Sequence, residues 1–283
     1  MYLGMMENQS DEEKCRIGLD ALDNIPKFLM MRSEIATILA KYYDEKGLTS
    51  EYGEMLKVIY LSKSTPYNFM QLFVGCSNEV VYSIYRNNLD IKVVTSLYSV
   101  PQKETARNYQ TYQFQQIIKM FSGELDGILR ICDENAEYLG WSNNLLGVVV
   151  PLLLILLENG YSEHSKVKER LTTFVLQRIK MSPSDAVAVD FERVIQSCKE
   201  KLEFDSNLDE LLEWLGNNLV KRADAVVGGG YRHSYYKVAE LVVYYGEVLE
   251  SYDKFESRSE TVERFRKLHY RKSAFKKELY SLM

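Results

Sequence analysis

Apolar and aromatic residues recur every three or four positions in the last part of the chain, and this spacing constrains the fold more than any other sequence feature. Steps of three and four residues place side chains on one face of an α-helix. Charged residues take the opposite face, so we predict an amphipathic helix here. After the glycine triplet 228–230, the apolar positions are Tyr231, Tyr235, Val238, Ala239, Val242, Tyr245, Leu249 and Tyr252.

A second helix is predicted directly after the first. Ser257 stands three residues before Glu260, which is the spacing of a capping box at a helix start. Apolar positions then continue through Phe265 to Leu282. The sequence therefore predicts that residues 228–283 form a terminal helical hairpin.

The remaining residues also favour helix over strand. Five prolines and fifteen glycines are few for a chain rich in tight β-turns. Helix starts are predicted at Pro26, at Thr65 with Pro66, and at Ser182 with Pro183. We predict an all-α fold of roughly 11 to 13 helices at typical helix and loop lengths. The expected domains are a tail or short helix at residues 1–22, a helical-repeat scaffold at 23–227 and the terminal hairpin at 228–283.

Two stretches leave alternatives open. The run 145–157 is apolar throughout but shorter than the roughly 20 residues that span a bilayer. We expect a buried central helix, kinked or interrupted at Pro151, and keep an interfacial or partner-binding segment as the alternative. Residues 79–98 are rich in β-prone side chains. Since no hairpin turn accompanies them, we predict helices there as well.

Charge and cysteine usage exclude several classes of protein. The net charge of -5 is unsuited to a protein that mainly coats a phosphate backbone. The four cysteines are widely spaced without a pattern, which favours free thiols in a reducing compartment. The first residues lack the basic and apolar regions of a secretory signal. We therefore expect a cytoplasmic protein that does not enter a membrane.

A resemblance supports the helical prediction. The C-terminal region has an aromatic and basic pattern that begins at Tyr231 and Arg232 and resumes at Tyr270 and Arg271. This pattern is similar to the helical-repeat region of bacterial SWIM zinc finger proteins and related uncharacterised helical-repeat proteins. The zinc module itself, a Cys-x-Cys pair followed by Cys-x-His, is absent. The resemblance implies a superhelical array of antiparallel helix pairs, with degenerate TPR-like or HEAT-like repeats. The matching positions are Tyr231, Arg232, Tyr235, Tyr236, Ala239, Tyr270, Arg271, Lys272, Phe275, Glu278 and Leu279, together with segments 56–73 and 145–157.

Two groups of residues are candidates for contact with an anion or nucleic acid. A glycine-rich turn before a helix can bind an anion through Arg232 and His233, although a flexible linker or hinge is the favoured interpretation of the glycines. The second group, Arg271, Lys272, Lys276 and Lys277, belongs to a basic run interleaved with aromatic residues. On a single helix these charges spread over most of the circumference, as on a solvated helix with internal ion pairs such as Glu260–Arg264 and Glu263–Lys267.

No catalytic, cofactor or metal site is predicted. The three histidines have no partner at metal-ligand spacing, and no nucleophile elbow occurs. The chain has 21 tyrosines, more than core packing alone calls for, and tyrosine suits recognition surfaces. We expect a non-catalytic helical scaffold that binds another protein. The alternative is a nucleic-acid-associated accessory module that uses the basic terminal hairpin.

Overall fold

The protein is helical throughout the part of the chain that the computed structural model describes: residues 2–27, 29–87, 104–141, 144–160, 165–179, 188–252 and 255–283. Within these residues there are fifteen α-helices and no β-strand, so the all-α prediction is confirmed. The helix count exceeds the predicted 11 to 13. The helices are α1 Tyr2–Met6, α2 Asp11–Asn24, α3 Met31–Glu45, α4 Thr49–Ser62, α5 Pro66–Gly75, α6 Asn78–Asn87, α7 Glu104–Phe121, α8 Leu125–Glu134, α9 Leu146–Leu157, α10 Lys166–Ile179, α11 Ala188–Leu202, α12 Leu208–Ala223, α13 Tyr235–Glu250, α14 Arg258–Leu268 and α15 Ser273–Ser281.

The chain divides into two compact units. The first comprises Met1–Ile128 and Ile179–Met181, and the second comprises Leu129–Arg178 and Ser182–Met283. The domain boundaries predicted after residues 22 and 227 stay predictions, as does the superhelical arrangement of repeats. None of the described helices combines the length and apolar character needed to cross a membrane.

In the first unit, side chains cap the starts of α2 and α5. The helix start predicted at Pro26 is wrong, because α3 begins at Met31. Thr65 Oγ1 accepts a hydrogen bond of 3.2 Å from the Asn68 N–H, and Pro66 is the first residue of α5, as predicted. Residues 1–22 contain α1 and most of α2, which Ser10 caps. Consecutive helices from α1 to α5 pack on one another, and α7 covers α5. Burying their apolar faces in this way is what stabilises such short helices.

Part of the β-prone stretch is helical, since α6 spans Asn78–Asn87. The remainder, residues 88–98, lies outside the described residues. So does the predicted helix start at Ser182 with Pro183, although α11 is described from Ala188 onward.

In the second unit, α9 forms the centre of the core. Every residue from Leu146 to Leu157 is buried, and Pro151 lies within the continuous helix without ending it. Helices α11, α12 and α13 pack against α9. The prediction of a buried central helix is therefore confirmed. A helix that is apolar on all sides needs such neighbours around its whole circumference.

The terminal segment differs from the predicted hairpin. The capping box is present, because Ser257 Oγ accepts from the Glu260 N–H and the Glu260 carboxylate accepts from the Ser257 N–H. The prediction of one continuous second helix is wrong, since α14 ends at Leu268 and α15 begins at Ser273. No glycine or proline marks this break. At the break, His269 buries its ring edge-on against Phe275, with the centroids 5.8 Å apart.

Candidate functional site

The second unit contains a groove bounded by α9, α10 and α11, with a cavity volume of about 1140 Å³. One face of α10 and one face of α11 form its walls. From Lys166 to Leu176 the α10 wall is about 15 Å long at the helical rise of 1.5 Å per residue. The lining residues are Ile155, Asn159, Gly160, Ser165, Lys166, Lys168, Glu169, Thr172, Thr173, Leu176, Phe191, Glu192, Arg193, Ile195, Gln196 and Lys199. We call this cavity the α10–α11 groove.

The groove has an apolar floor and a polar rim. Ile155, Leu176 and Phe191 are almost fully buried beneath it. The rim carries four basic residues and two acidic ones, in a chain whose net charge is -5. Because the buried Glu158 pairs with Lys168, the groove keeps a small excess of basic residues on an acidic protein, and such an excess favours anionic groups.

A buried carboxylate lies behind the rim. Glu158 follows directly after α9, and its side chain is only 2% exposed. Lys168 Nζ lies 2.5 Å from Glu158 Oε2, and the two groups form an ion pair. Burial raises the pKa of the neighbouring Tyr244 hydroxyl above its usual range, and the Glu158 carboxylate adds to the shift. Because a buried carboxylate requires a cation, Glu158 fixes Lys168 at the groove wall.

Lys199 is the most unusual cation of the groove. Its Nζ donates a 2.7 Å hydrogen bond to the main-chain carbonyl of Glu158, which is a neutral acceptor. Among the described residues it forms no ion pair with a carboxylate. Burial lowers the pKa of Lys199 below its ordinary value, and although Glu158 opposes this shift, the nearby Lys168 adds to it. The groove thus holds a partly desolvated ammonium group that an incoming anion would stabilise.

Helix α13 and the two residues after it hold the start of α10 and the end of α9 in place. Glu247 on α13 accepts a 2.5 Å hydrogen bond from the Ser165 hydroxyl at the start of α10. Ser251 accepts a 2.9 Å bond from the Asn159 N–H, and the Tyr252 hydroxyl donates to the Leu157 carbonyl. These contacts give the α9–α10 side of the groove a fixed geometry.

The residues predicted from the sequence lie elsewhere in the second unit, around the break between α14 and α15. Lys272 Nζ donates a 3.0 Å hydrogen bond to the Gly228 carbonyl. His269 Nε2 lies 3.5 Å from Asp224 Oδ1. These contacts place the turn 269–272 beside the glycine-rich segment 228–233, although some forty residues separate them in sequence. We call residues 231–233 and 270–280 together the terminal surface.

The glycine triplet forms a tight turn in this surface. The Tyr231 N–H donates to the Val226 carbonyl at 3.0 Å, and Gly230 has a φ of 82°. Glycine is favoured at such a left-handed position because it has no Cβ. A short 3₁₀ turn at Arg232–Ser234 then leads into α13, with Arg232 and His233 both exposed.

The basic residues of the terminal segment fall into two classes. On α14 they are paired, since Arg264 lies 2.5 Å from Glu256, Arg266 pairs with Glu263, and Lys267 lies 3.9 Å from Glu263. The predicted Glu263–Lys267 pair is present. The predicted Glu260–Arg264 pair is wrong, because the Glu260 carboxylate caps α14 instead.

The other class forms no ion pair with a carboxylate among the described residues. Its members are Arg232, Arg271, Lys276 and Lys277, which are four of the six residues predicted from the sequence. A fifth, Lys272, bonds to the Gly228 carbonyl. The structure thus brings Arg232, His233, Arg271 and Lys272 into neighbouring segments, and it places Lys276 and Lys277 on the following helix.

Neither Lys199 nor Glu158 is predicted from the sequence. Glu158 only ends the apolar run, and Lys199 is one of many charged residues on a helix. The two residues are 41 positions apart, so their contact depends on helix packing. No cluster of three or more potential metal ligands occurs among the described residues.

No protein-family model matches the chain, and no match is found among curated proteins or solved structures. The resemblance to the helical-repeat region of SWIM zinc finger proteins stays a prediction.

Proposed function

We propose that this protein is a non-catalytic helical scaffold of a cytoplasmic assembly, and that it binds an acidic segment of a partner protein in the α10–α11 groove. The observation that carries the proposal is Lys199, a half-buried ammonium group at the groove whose only hydrogen-bond partner among the described residues is a main-chain carbonyl. A carboxylate of the partner would form an ion pair with the Lys199 ammonium group. Charge-assisted hydrogen bonds of this kind are about twice as strong as neutral ones.

The dimensions of the groove support a peptide as the occupant. A wall of about 15 Å accommodates four or five residues of extended chain at roughly 3.3 Å per residue. Thr172, Thr173 and Gln196 line the groove and offer donors and acceptors for the main chain of such a segment. The buried apolar side chains beneath them supply a firm floor.

Site-specific photo-crosslinking tests this proposal. A benzophenone amino acid is placed at Thr173, which is exposed in the groove, and in a control protein at Asn217, which is exposed on α12 and does not line the groove. We expect a partner from the native host to crosslink at position 173 and not at 217. The crosslinked peptide, identified by mass spectrometry, is expected to carry aspartate or glutamate.

Lys199→Met is the second test of the proposal, because methionine keeps an unbranched apolar side chain and removes the charge. Truncating one member of a partly buried charge pair costs about 2 kcal/mol or more, so the identified peptide is expected to bind at least about thirtyfold more weakly. Lys221→Met, at an exposed position of α12, is the charge-matched control. Equal crosslinking at 173 and 217, or unchanged peptide binding by Lys199→Met, would refute the groove as the docking site.

A further inference from the structure

The terminal surface combines two sequence segments that the fold brings together. The Lys272 contact to Gly228 and the His269 contact to Asp224 hold the turn 269–272 against the segment before α13. Tyr235 at the start of α13 packs edge-on against Phe275 of α15, with the centroids 5.8 Å apart. The two segments are therefore anchored by a buried aromatic contact as well as by polar ones.

The cations of this surface remain available. Arg232, Arg271, Lys276 and Lys277 form no ion pair with a carboxylate among the described residues, whereas the nearby arginines of α14 are paired with Glu256 and Glu263. Lys276 still contributes to the lowered pKa of Glu263, and the Arg271 guanidinium lies over the Tyr270 ring at 5.2 Å. The sequence-based argument that the charges spread around one helix does not hold, because the break at 269–272 separates the paired cations of α14 from the unpaired ones of α15.

Exposed tyrosines accompany these cations. Tyr231, Tyr270 and Tyr280 are 44%, 60% and 56% exposed. On α15, Tyr280 follows Lys276 by one helical turn and Lys277 by three residues, so the three lie on adjoining parts of the helix surface. An exposed aromatic ring beside unpaired cations offers a stacking face next to a phosphate contact.

We propose that the terminal surface binds single-stranded nucleic acid. Unpaired bases stack on exposed aromatic side chains while cations contact the phosphates, and this combination is typical of binding without sequence preference. A duplex hides its base faces and would leave the tyrosines unused. The inference goes beyond the proposed protein-binding role and rests on different residues, so either can fail without the other.

The charge of the chain predicts how this binding responds to salt. A net charge of -5 repels a polyanion at a distance, so affinity depends on the local cations. Each phosphate neutralised on a single strand contributes about 0.7 to the slope of log affinity against log salt. Four unpaired cations therefore predict a slope of about −2.8, which falls to about −1.4 when two are removed.

Fluorescence anisotropy with a labelled oligothymidylate tests the proposal on the full chain. We expect the slope given above for the native protein, and the reduced slope for Arg271→Gln combined with Lys277→Gln. Arg16→Gln, in the first unit and paired with Glu13, is the control and should leave the slope unchanged. Failure of the oligonucleotide to bind at about 100 µM protein in low salt would overturn the proposal, since even non-specific binding falls in that range.

Tyrosine variants distinguish stacking from simple charge attraction. Tyr270→Ala is expected to weaken oligothymidylate binding about tenfold, whereas Tyr270→Phe, which keeps the ring, should retain it. Duplex DNA and polyglutamate serve as competitors. If either displaces the oligonucleotide as well as unlabelled single strand does, or if Tyr270→Ala has no effect, the surface is a general polyanion or acidic-protein site and the proposal is wrong.

Discussion

Gly147, near the start of α9, is the position where one methyl group should matter most. A Cβ built there would lie 1.6 Å from the main-chain carbonyl oxygen of Trp141 and 2.5 Å from its carbonyl carbon. Trp141 cannot move freely, because its indole is 97% buried and Arg222 lies over it at 5.4 Å. We therefore expect Gly147→Ala to destabilise the second unit.

The magnitude follows from two opposing terms. Inserting a methylene-sized group into a packed core costs about 1–3 kcal/mol, and a clash with main chain belongs at the upper end. Alanine in place of glycine in a helix returns about 1 kcal/mol. The free energy of unfolding should thus fall by about 2 kcal/mol, which shifts the urea midpoint by about 1 M at a typical denaturant slope.

Tryptophan fluorescence is the suitable assay, because both tryptophans, Trp141 and Trp214, belong to the second unit. Gly228→Ala is the matched control, since a Cβ there meets nothing within 4 Å and its φ is not in the left-handed region. The control should unfold at the native midpoint or slightly above it. Equal midpoints for the two variants would show that α9 does not begin against the Trp141 main chain.

Three further outcomes follow from burial. Cys132 and Cys198 are 1% and 0% exposed, and burial raises the pKa of each thiol to about 12, so a thiol reagent should modify only the other two cysteines until the protein is unfolded. Thr261→Val should raise the free energy of unfolding by about 1 kcal/mol, because the buried Thr261 hydroxyl has no hydrogen-bond partner among the described residues; a loss of stability in urea would contradict this. Burial lowers the pKa of His269 below its ordinary value near 6.5, and the Asp224 carboxylate only partly opposes the shift. The unfolded state then binds more protons, so stability should fall as the pH drops below about 6.5, and His269→Gln should reduce that slope in urea titrations at pH 7 and 5.

Local sequence signals predicted several helix starts correctly. They did not predict helix ends that depend on contacts with residues distant in the sequence. Thr65 with Pro66 and Ser257 with Glu260 cap helices as their spacing indicates. The break after Leu268 has no such signal, because it depends on burial of His269 against a later helix. A single-helix projection cannot anticipate that contact.

The candidate sites show the same limit. The sequence identified the cations of the terminal surface, yet it could not show which of them are paired. Arg264 bonds to Glu256 because Glu260 is engaged in capping, a competition that spacing alone does not resolve. Glu158 and Lys199 are in contact because α11 packs on α9, and no local sequence pattern predicts that packing.

The burial of α9 has a consequence for synthesis of the chain on the ribosome. The helices that cover it, α11, α12 and α13, follow it in sequence, and the last ends at Glu250. Synthesis proceeds at about 5–20 residues per second, so about 5–20 s pass between the synthesis of the twelve residues of α9 and that of the last helix that buries them. During that time the nascent chain exposes a strongly hydrophobic segment. Substitutions in α9 should therefore alter chaperone dependence and aggregation during expression even when they leave the folded protein unchanged.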